Sequence, residues 1–342
     1  MAMKRRMRWV ATASAVVVVL GGTTAFLYVS GNAPAVIRNV IDPLVHHDPP
    51  TCPLTGQPAP NDTVPERPAL AIKVENLPAA RPQSGLDEAD IVYEEPVEAG
   101  ITRFIAVFQC QESKRVGPVR SGRITDIGVL AQYGKAIFGY AGGANLVVKA
   151  IEAAPIVDES MPKAPKAYLR DPNRLPPHNL YTSTAALRAA ANSKEGAPEP
   201  VFTYDHALPD GAKRARTLHI PFSGYSDVYW KWQGGKWFRS HGTVPHTLEN
   251  GDQVSAKNVV IQVVKTKQGP VSDVNGVVSP EVVPTGGGKA YVCRNGHCIQ
   301  GTWKRPKVSD LTVFEDRSGD EIPLQPGNTW VELVPTGIAI TT

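Results

Sequence analysis

The sequence predicts an α+β protein. It comprises a mixed α/β N-terminal ectodomain with a buried sheet, a smaller β-rich domain after it, and a single N-terminal transmembrane helix ahead of both. Three observations predict this. Residues 9–29, "WVATASAVVVVLGGTTAFLYV", carry no charge, and about 20 apolar residues suffice for a helix to cross a bilayer's hydrocarbon core. Between residues 67 and 195, β-branched and aromatic runs are interleaved with helix-period segments. From about residue 216, short strand-like runs follow one another at turn-like spacing.

Residues 1–8 form a basic tail. Lys4, Arg5, Arg6 and Arg8 lie there, and the basic residues that remain after them equal the 32 acidic ones. The positive-inside rule therefore places this tail in the cytoplasm and the bulk of the chain outside, as a signal-anchor. Trp9 and Tyr28 sit near the ends of the apolar run, where aromatic rings favour the interface. The "NAPA" at 32–35 keeps a cleaved leader open as an alternative. The chain beyond the tail is neutral, which argues against nucleic acid as a partner.

Residues 30–66, rich in Pro, Asn and Asp, read as an extracytoplasmic linker. His46 and His47 read as exposed linker residues. The first domain spans 67–195. "ALAIKVE" (69–75), "DIVYEE" (90–95) and "ITRFIAVFQC" (101–110) read as strands, the last apolar on both faces and so buried on both. A helix is predicted near 118–134, a strand at 136–143, a helix near 144–154 and another in 182–194, capped by Thr182 or Ser183. Residues 196–215 are a polar connection. In the second domain, 216–338, strands are predicted at "DVYWKW", "KWFRS", "NVVIQVVKT", "KAYVCRN", "HCIQGTWK", "LTVFED" and "TWVELV". Five of the six tryptophans lie here and read as core or as exposed platforms for sugars or a partner.

Four cysteines in an even count outside the membrane suggest disulfides. Cys293 and Cys298 flank Asn295-Gly296, a strong hairpin signal, so they pair across two strands. Cys52 and Cys110 follow by elimination. A zinc site lacks a second ligand pair of usual spacing. No cofactor and no metal are predicted.

"CPLTG" (52–56), "RPALAIKVEN" (67–76), "ARPQSGL" (80–86), "ADIVYEEPVEAGITRFIAVFQ" (89–109), "VGPVRSGR" (116–123) and "PPHNLY" (176–181) together resemble the YerB-like bacterial envelope proteins. "GTVPHT", "SAKNVVIQ", "GTWKR" and "PGNTWVELVP" extend the resemblance to Pro335. It implies two domains of unknown function held outside the membrane. Many members look like lipoproteins, but no lipobox-like run precedes Cys52 here, so a transmembrane anchor replaces the lipid. The resemblance carries over no catalytic residue.

The candidate site centres on "RVGPVRSGRITD" (115–126). It misses a nucleotide phosphate loop because Arg123 and Ile124 stand where Lys and Ser or Thr belong. With Pro118 as the first helical residue, Arg120 and Arg123 would lie three apart on one helix face, against the macrodipole. Either an anion or the protein's own carboxylates must then offset them. Asp87, Glu88, Asp90, Glu94, Glu95 and Glu98 fall close by in sequence, with Asp90 and Glu94 on one strand face. Ser121, His178, Asn179 and His246 are further candidates, although neither a nucleophile elbow nor a metalloprotease motif accompanies them.

The predicted ligand-binding set is Arg103, Arg120, Ser121, Arg123, Asp90, Glu94, His178 and Asn179. The expected function is a binding or assembly module of the envelope. Its partner would be an anionic wall or lipid-linked ligand, or an envelope protein. The alternative is a hydrolase or transferase acting on wall glycan or phosphodiester, with Asp90, Glu94 or His178 converging on the arginines.

Overall fold

A computed structural model describes residues 49–272 and 277–342. The predicted span at 9–29, most of the linker, and His46 and His47 lie outside the described residues. Among those described, no helix is long and apolar enough to cross a membrane. Residues 50–342 form one compact unit that contains its own cores and both disulfides.

The predicted strands of the first region appear as β1 (Leu70–Glu75), β2 (Ile91–Pro96) and β3 (Thr102–Phe108), with short β4 (Ile137–Gly139) and β5 (Val157–Asp158) beside them. Three helices follow the predictions in place but are shorter: α1 (Ile124–Leu130), α2 (Asn145–Ala153) and α3 (Thr184–Ala191). Ser183 caps α3 by accepting from the Ala186 amide at 3.1 Å. A small ladder of β6 (Tyr168–Arg170) and β7 (Leu180–Thr182) lies between α2 and α3 in sequence. The second region supplies β8 (Lys213–Arg214), β9 (Thr217–Pro221), β10 (Asp227–Gln233), β11 (Lys236–His241), β12 (Val244–Pro245), β13 (Ser255–Ala256) and β14 (Asn258–Val264). A two-stranded arm follows, β15 (Thr266–Ser272) with β16 (Val278–Val282), then β17 (Gly286–Arg294), β18 (His297–Arg305), β19 (Val313–Glu315) and β20 (Thr329–Pro335).

The two sequence regions share one sheet. Its path runs β19-β18-β17-β14-β20-β2-β3-β1-β4-β5, with β8 pairing onto β18. The junction is a parallel ladder that sets Ile91 opposite Thr329 and Glu94 opposite Glu332. One face carries Leu70, Ile72, Val74, Phe104, Ala106 and Phe108 against a second sheet, β12-β11-β10-β9, with Trp230, Trp330 and Trp237 in the shared core. The other face carries Ala71, Ile91, Tyr93, Ile105 and Val107 under α1 and α2. Alternation along each strand thus fills both layers, and β3 is buried along its whole length.

Four of the five second-region tryptophans, Trp230, Trp237, Trp303 and Trp330, are buried, which settles the core reading for them. Trp230 and Phe104 each meet Trp330 edge-on, with ring centres 5.3 and 5.2 Å apart. Cys293 and Cys298 are bonded directly across the β17–β18 ladder, and Cys52 is bonded to Cys110. The hairpin turn needs positive φ at both central residues, and Asn295 (50°) and Gly296 (70°) supply it.

The helix predicted near 118–134 is corrected. Residues 116–120 are extended and give their backbone bonds sideways. Val116 pairs with Thr182, the Val119 amide donates to the Leu180 carbonyl, and the Arg120 amide to that of Lys73. An amide spent this way cannot serve a helical turn. The helix starts only at Ile124. Strands β15 and β16 escape the sequence reading because Pro270 and Pro280 interrupt them.

Candidate functional site

The β1–β3–β2 register builds the floor. Glu75 on β1 and Glu95 on β2 both stand opposite Arg103 on β3. These three share a row on the face that α1 and α2 cover, and Lys73 is on the same face. The extended stretch 116–120 lies along the end of β1 and sets Arg120 and Arg123 over this row.

The three predicted arginines come together. Arg120 Nε is 3.0 Å from Glu75 Oε1, and Glu75 Oε2 is 2.9 Å from His178 Nδ1. Arg123 Nη2 is 2.5 Å from Glu98 Oε1, while Arg103 Nη2 is 3.8 Å from the other oxygen of that carboxylate. Both guanidiniums also donate to the Ser121 carbonyl, at 3.2 and 3.3 Å. Glu98 therefore serves two cations. Burial works to raise its pKa, but Arg123 and then Arg103 outweigh burial and hold it below the usual range. Arg103 is 6% exposed. Burial, and then the neighbouring Arg123 charge, lower its pKa to about 10.

Arg103, Arg120, Ser121 and Arg123 line a cavity of about 600 Å³, whose walls include Leu77, Ile101, Ile124, Val147, Pro270 and Pro280. Glu98 and Glu281 also line it, but Glu281 is paired with Lys267 at 2.9 Å. Behind the loop, Lys73 is bonded to Glu95 and, at 2.6 Å, to Asp126. Asp126 also accepts from the Arg123 amide at 2.6 Å, so the start of α1 is capped from within. Burial first, with Asp126 adding to it against Lys73, pushes the Glu95 carboxyl above its usual range.

Asp90 and Glu94 do not line this cavity. The Asp90 carboxylate accepts the Gln109 amide, and burial, opposed by backbone hydrogen bonds from Gln109 and its neighbours, raises it to about 6. Glu94 differs from Glu95 by one residue, so it points to the opposite face. There it receives Arg239 of β11 at 2.7 and 2.9 Å and Thr102 at 2.6 Å. Asn179 bonds Arg170 at 2.8 Å and the Asp171 carbonyl at 3.3 Å, fixing its own turn. His246 lies between an Arg239 donor at 2.9 Å and the side-chain oxygen Oε1 of Gln83 at 2.9 Å. Burial, then Arg239, keep it neutral, so it is a satisfied core histidine.

Sequence reasoning missed Glu75, Lys73 and Asp126. A signal existed for the first two: they are charges inside "ALAIKVE", a strand otherwise apolar on both faces. Such residues end up paired.

Glu332 of β20 completes the buried network by accepting from Trp230 Nε1 at 2.7 Å. Burial, and then the Glu94 charge beside it, hold Glu332 well above the usual carboxylate range, against Arg239. The folded chain therefore keeps a proton that the unfolded chain releases above its ordinary pKa. The contribution of Glu332 to stability falls as pH rises beyond that point. Glu332→Gln keeps an acceptor for Trp230 and removes the titration. The expected Tm gain of the variant is near zero at pH 4 and grows steadily to pH 8. A pH-independent difference in thermal melts would refute this assignment.

Comparison with known proteins decides the family. The family "Protein of unknown function (DUF3048)" matches with its N-terminal domain at residues 54–197 and its C-terminal domain at 218–331. The chain belongs to the DUF3048 family. It is 30% identical over 293 residues, 83% of this chain and 86% of the relative, to the Bacillus subtilis (strain 168) protein named "Putative lipoprotein YerB". The crystal structure of the YerB protein from Bacillus subtilis superposes with a TM-score of 0.73 at 28% identity, covering 86% of this chain and all of that one. The YerB-like resemblance is thereby confirmed along both regions.

Proposed function

We propose that this DUF3048 protein is an extracytoplasmic binding module of the cell envelope, and that its site is the arginine cavity, which takes an anionic ligand. The name of the Bacillus subtilis relative supports an envelope location. The charge-free run at 9–29 supports a single-pass anchor. One observation carries the ligand reading: Glu98 is shared between Arg103 and Arg123 at the cavity floor. By contrast, Arg239 in the core holds a bidentate carboxylate of its own. At the cavity three guanidiniums are met by two carboxylates, Glu75 and Glu98, with Glu75 also drawn to His178, while the extra carboxylate of the Lys73–Glu95–Asp126 group lies behind the loop. The planar donor fork of arginine matches a phosphoryl group.

The test is isothermal titration of residues 50–342 with glycerol 1-phosphate. Losing a charge-assisted hydrogen bond costs about 1.5–3 kcal/mol, so Arg103→Met weakens binding by at least about tenfold while Arg103→Lys retains part of it. Equal affinity in wild type and Arg103→Met, with both folded, would remove the site. The enzyme reading is not favoured: Asp90 and Glu94 lie away from the arginines, and His178, although bonded to the Glu75 that pairs with Arg120, does not line the cavity.

A further inference from the structure

The cavity is larger than an inorganic anion needs, and most of its wall is apolar. About 600 Å³ lies within the range of sites for small organic molecules. Arg103, Arg120 and Arg123 provide the charge. Leu77, Ile101, Ile124, Val147, Pro270 and Pro280 provide hydrocarbon, from six separate stretches of chain. The apolar character continues outward. On α2, Leu146 is 51% exposed next to the lining residue Val147, and on β16, Val278 is 41% exposed two residues before Pro280. A polar anion such as a sugar phosphate would leave these side chains unused.

Resting on the reading of the cavity as an anion site, we infer that its ligand class is the lipid phosphate. The phosphoryl group sits on Arg103, Arg120 and Arg123, and the first part of a hydrocarbon chain runs along Leu77, Ile101, Ile124 and Val147. This arrangement lets the protein hold an amphiphile by its head while shielding the adjoining methylenes from water.

Residues 50–342, self-contained in their cores and disulfides, are titrated with ethyl, butyl, hexyl and octyl phosphate, and with octanol as the chain without the charge. Transfer of each methylene out of water predicts roughly a threefold to fourfold gain in affinity per added group until the walls are covered. Octanol binds far more weakly than octyl phosphate. Ile124→Gln, checked for a cooperative melt, flattens the chain-length dependence, whereas Arg103→Met weakens the whole series. If wild-type affinity is the same from ethyl to octyl phosphate, the lipid inference fails and the anion reading stands. If no phosphate binds, both fail. If octanol binds as well as octyl phosphate, the gain is unspecific apolar adhesion and the inference is overturned.

Discussion

Arg239→Met destabilises the protein by about 3–5 kcal/mol, the cost of removing one partner from a buried ion pair. Arg239 and Glu94 are both fully buried, and the pair joins the two sheets, Glu94 from β2 and Arg239 from β11. Without the guanidinium, Glu94 keeps the Thr102 hydroxyl at 2.6 Å, a long contact from the Asn76 amide at 3.4 Å and the neighbouring Glu332 carboxyl. Glu332 is close to it and already retains its own proton. The variant must therefore carry a buried carboxylate or protonate it, so its deficit grows with pH. Urea unfolding at pH 5 and pH 8 checks both the size and the sign. Glu94→Leu combined with Arg239→Met should recover more than half of the loss, since an apolar pair leaves no charge stranded. A single-variant cost below about 1 kcal/mol, or a double variant no better than the single, would show that the pair does not hold the layers together.

Removing the Cys52–Cys110 disulfide with paired Cys→Ala changes costs about 4 kcal/mol, from the chain entropy of the cross-link it closes. The two cysteines are 58 residues apart, against 5 for Cys293 and Cys298. The same relation makes the second bridge worth about 2 kcal/mol less, and its hairpin is already held by the β17–β18 ladder. Cys52 also clasps the segment before β1 onto the end of β3, in a small cluster with Ala59 and Val64. Denaturant midpoints of the two paired variants, compared with wild type, decide the order. A larger loss from the short bridge would refute the entropic account.

Most strands were legible because their apolar residues alternate, and β3 is flagged as doubly buried by being apolar on both parities. The Asn295-Gly296 turn was enough to place Cys293 opposite Cys298. The clustering of Arg120 and Arg123 was legible as well, although not its geometry: the predicted helix face is an extended segment that β1 and β7 hold in place. Local propensity cannot register a hydrogen-bond partner more than forty residues away in sequence, such as Leu180 for Val119.

The sequence by itself determined the strand inventory, the disulfide pairs, the family and the presence of an arginine-rich loop beside an acidic run. Only the tertiary structure decided which acids meet which arginines. Residues 94 and 95 are both glutamates, and a strand sends neighbours to opposite faces. The register that sets Glu95 opposite Arg103 and Glu94 opposite Phe104 therefore assigns one to the cavity side and the other to the core. The merging of both regions into one sheet has the same origin. A parallel ladder such as β2–β20 joins residues more than 230 apart, and its energy comes from burial on both faces, a property of the assembled layers and of neither strand alone.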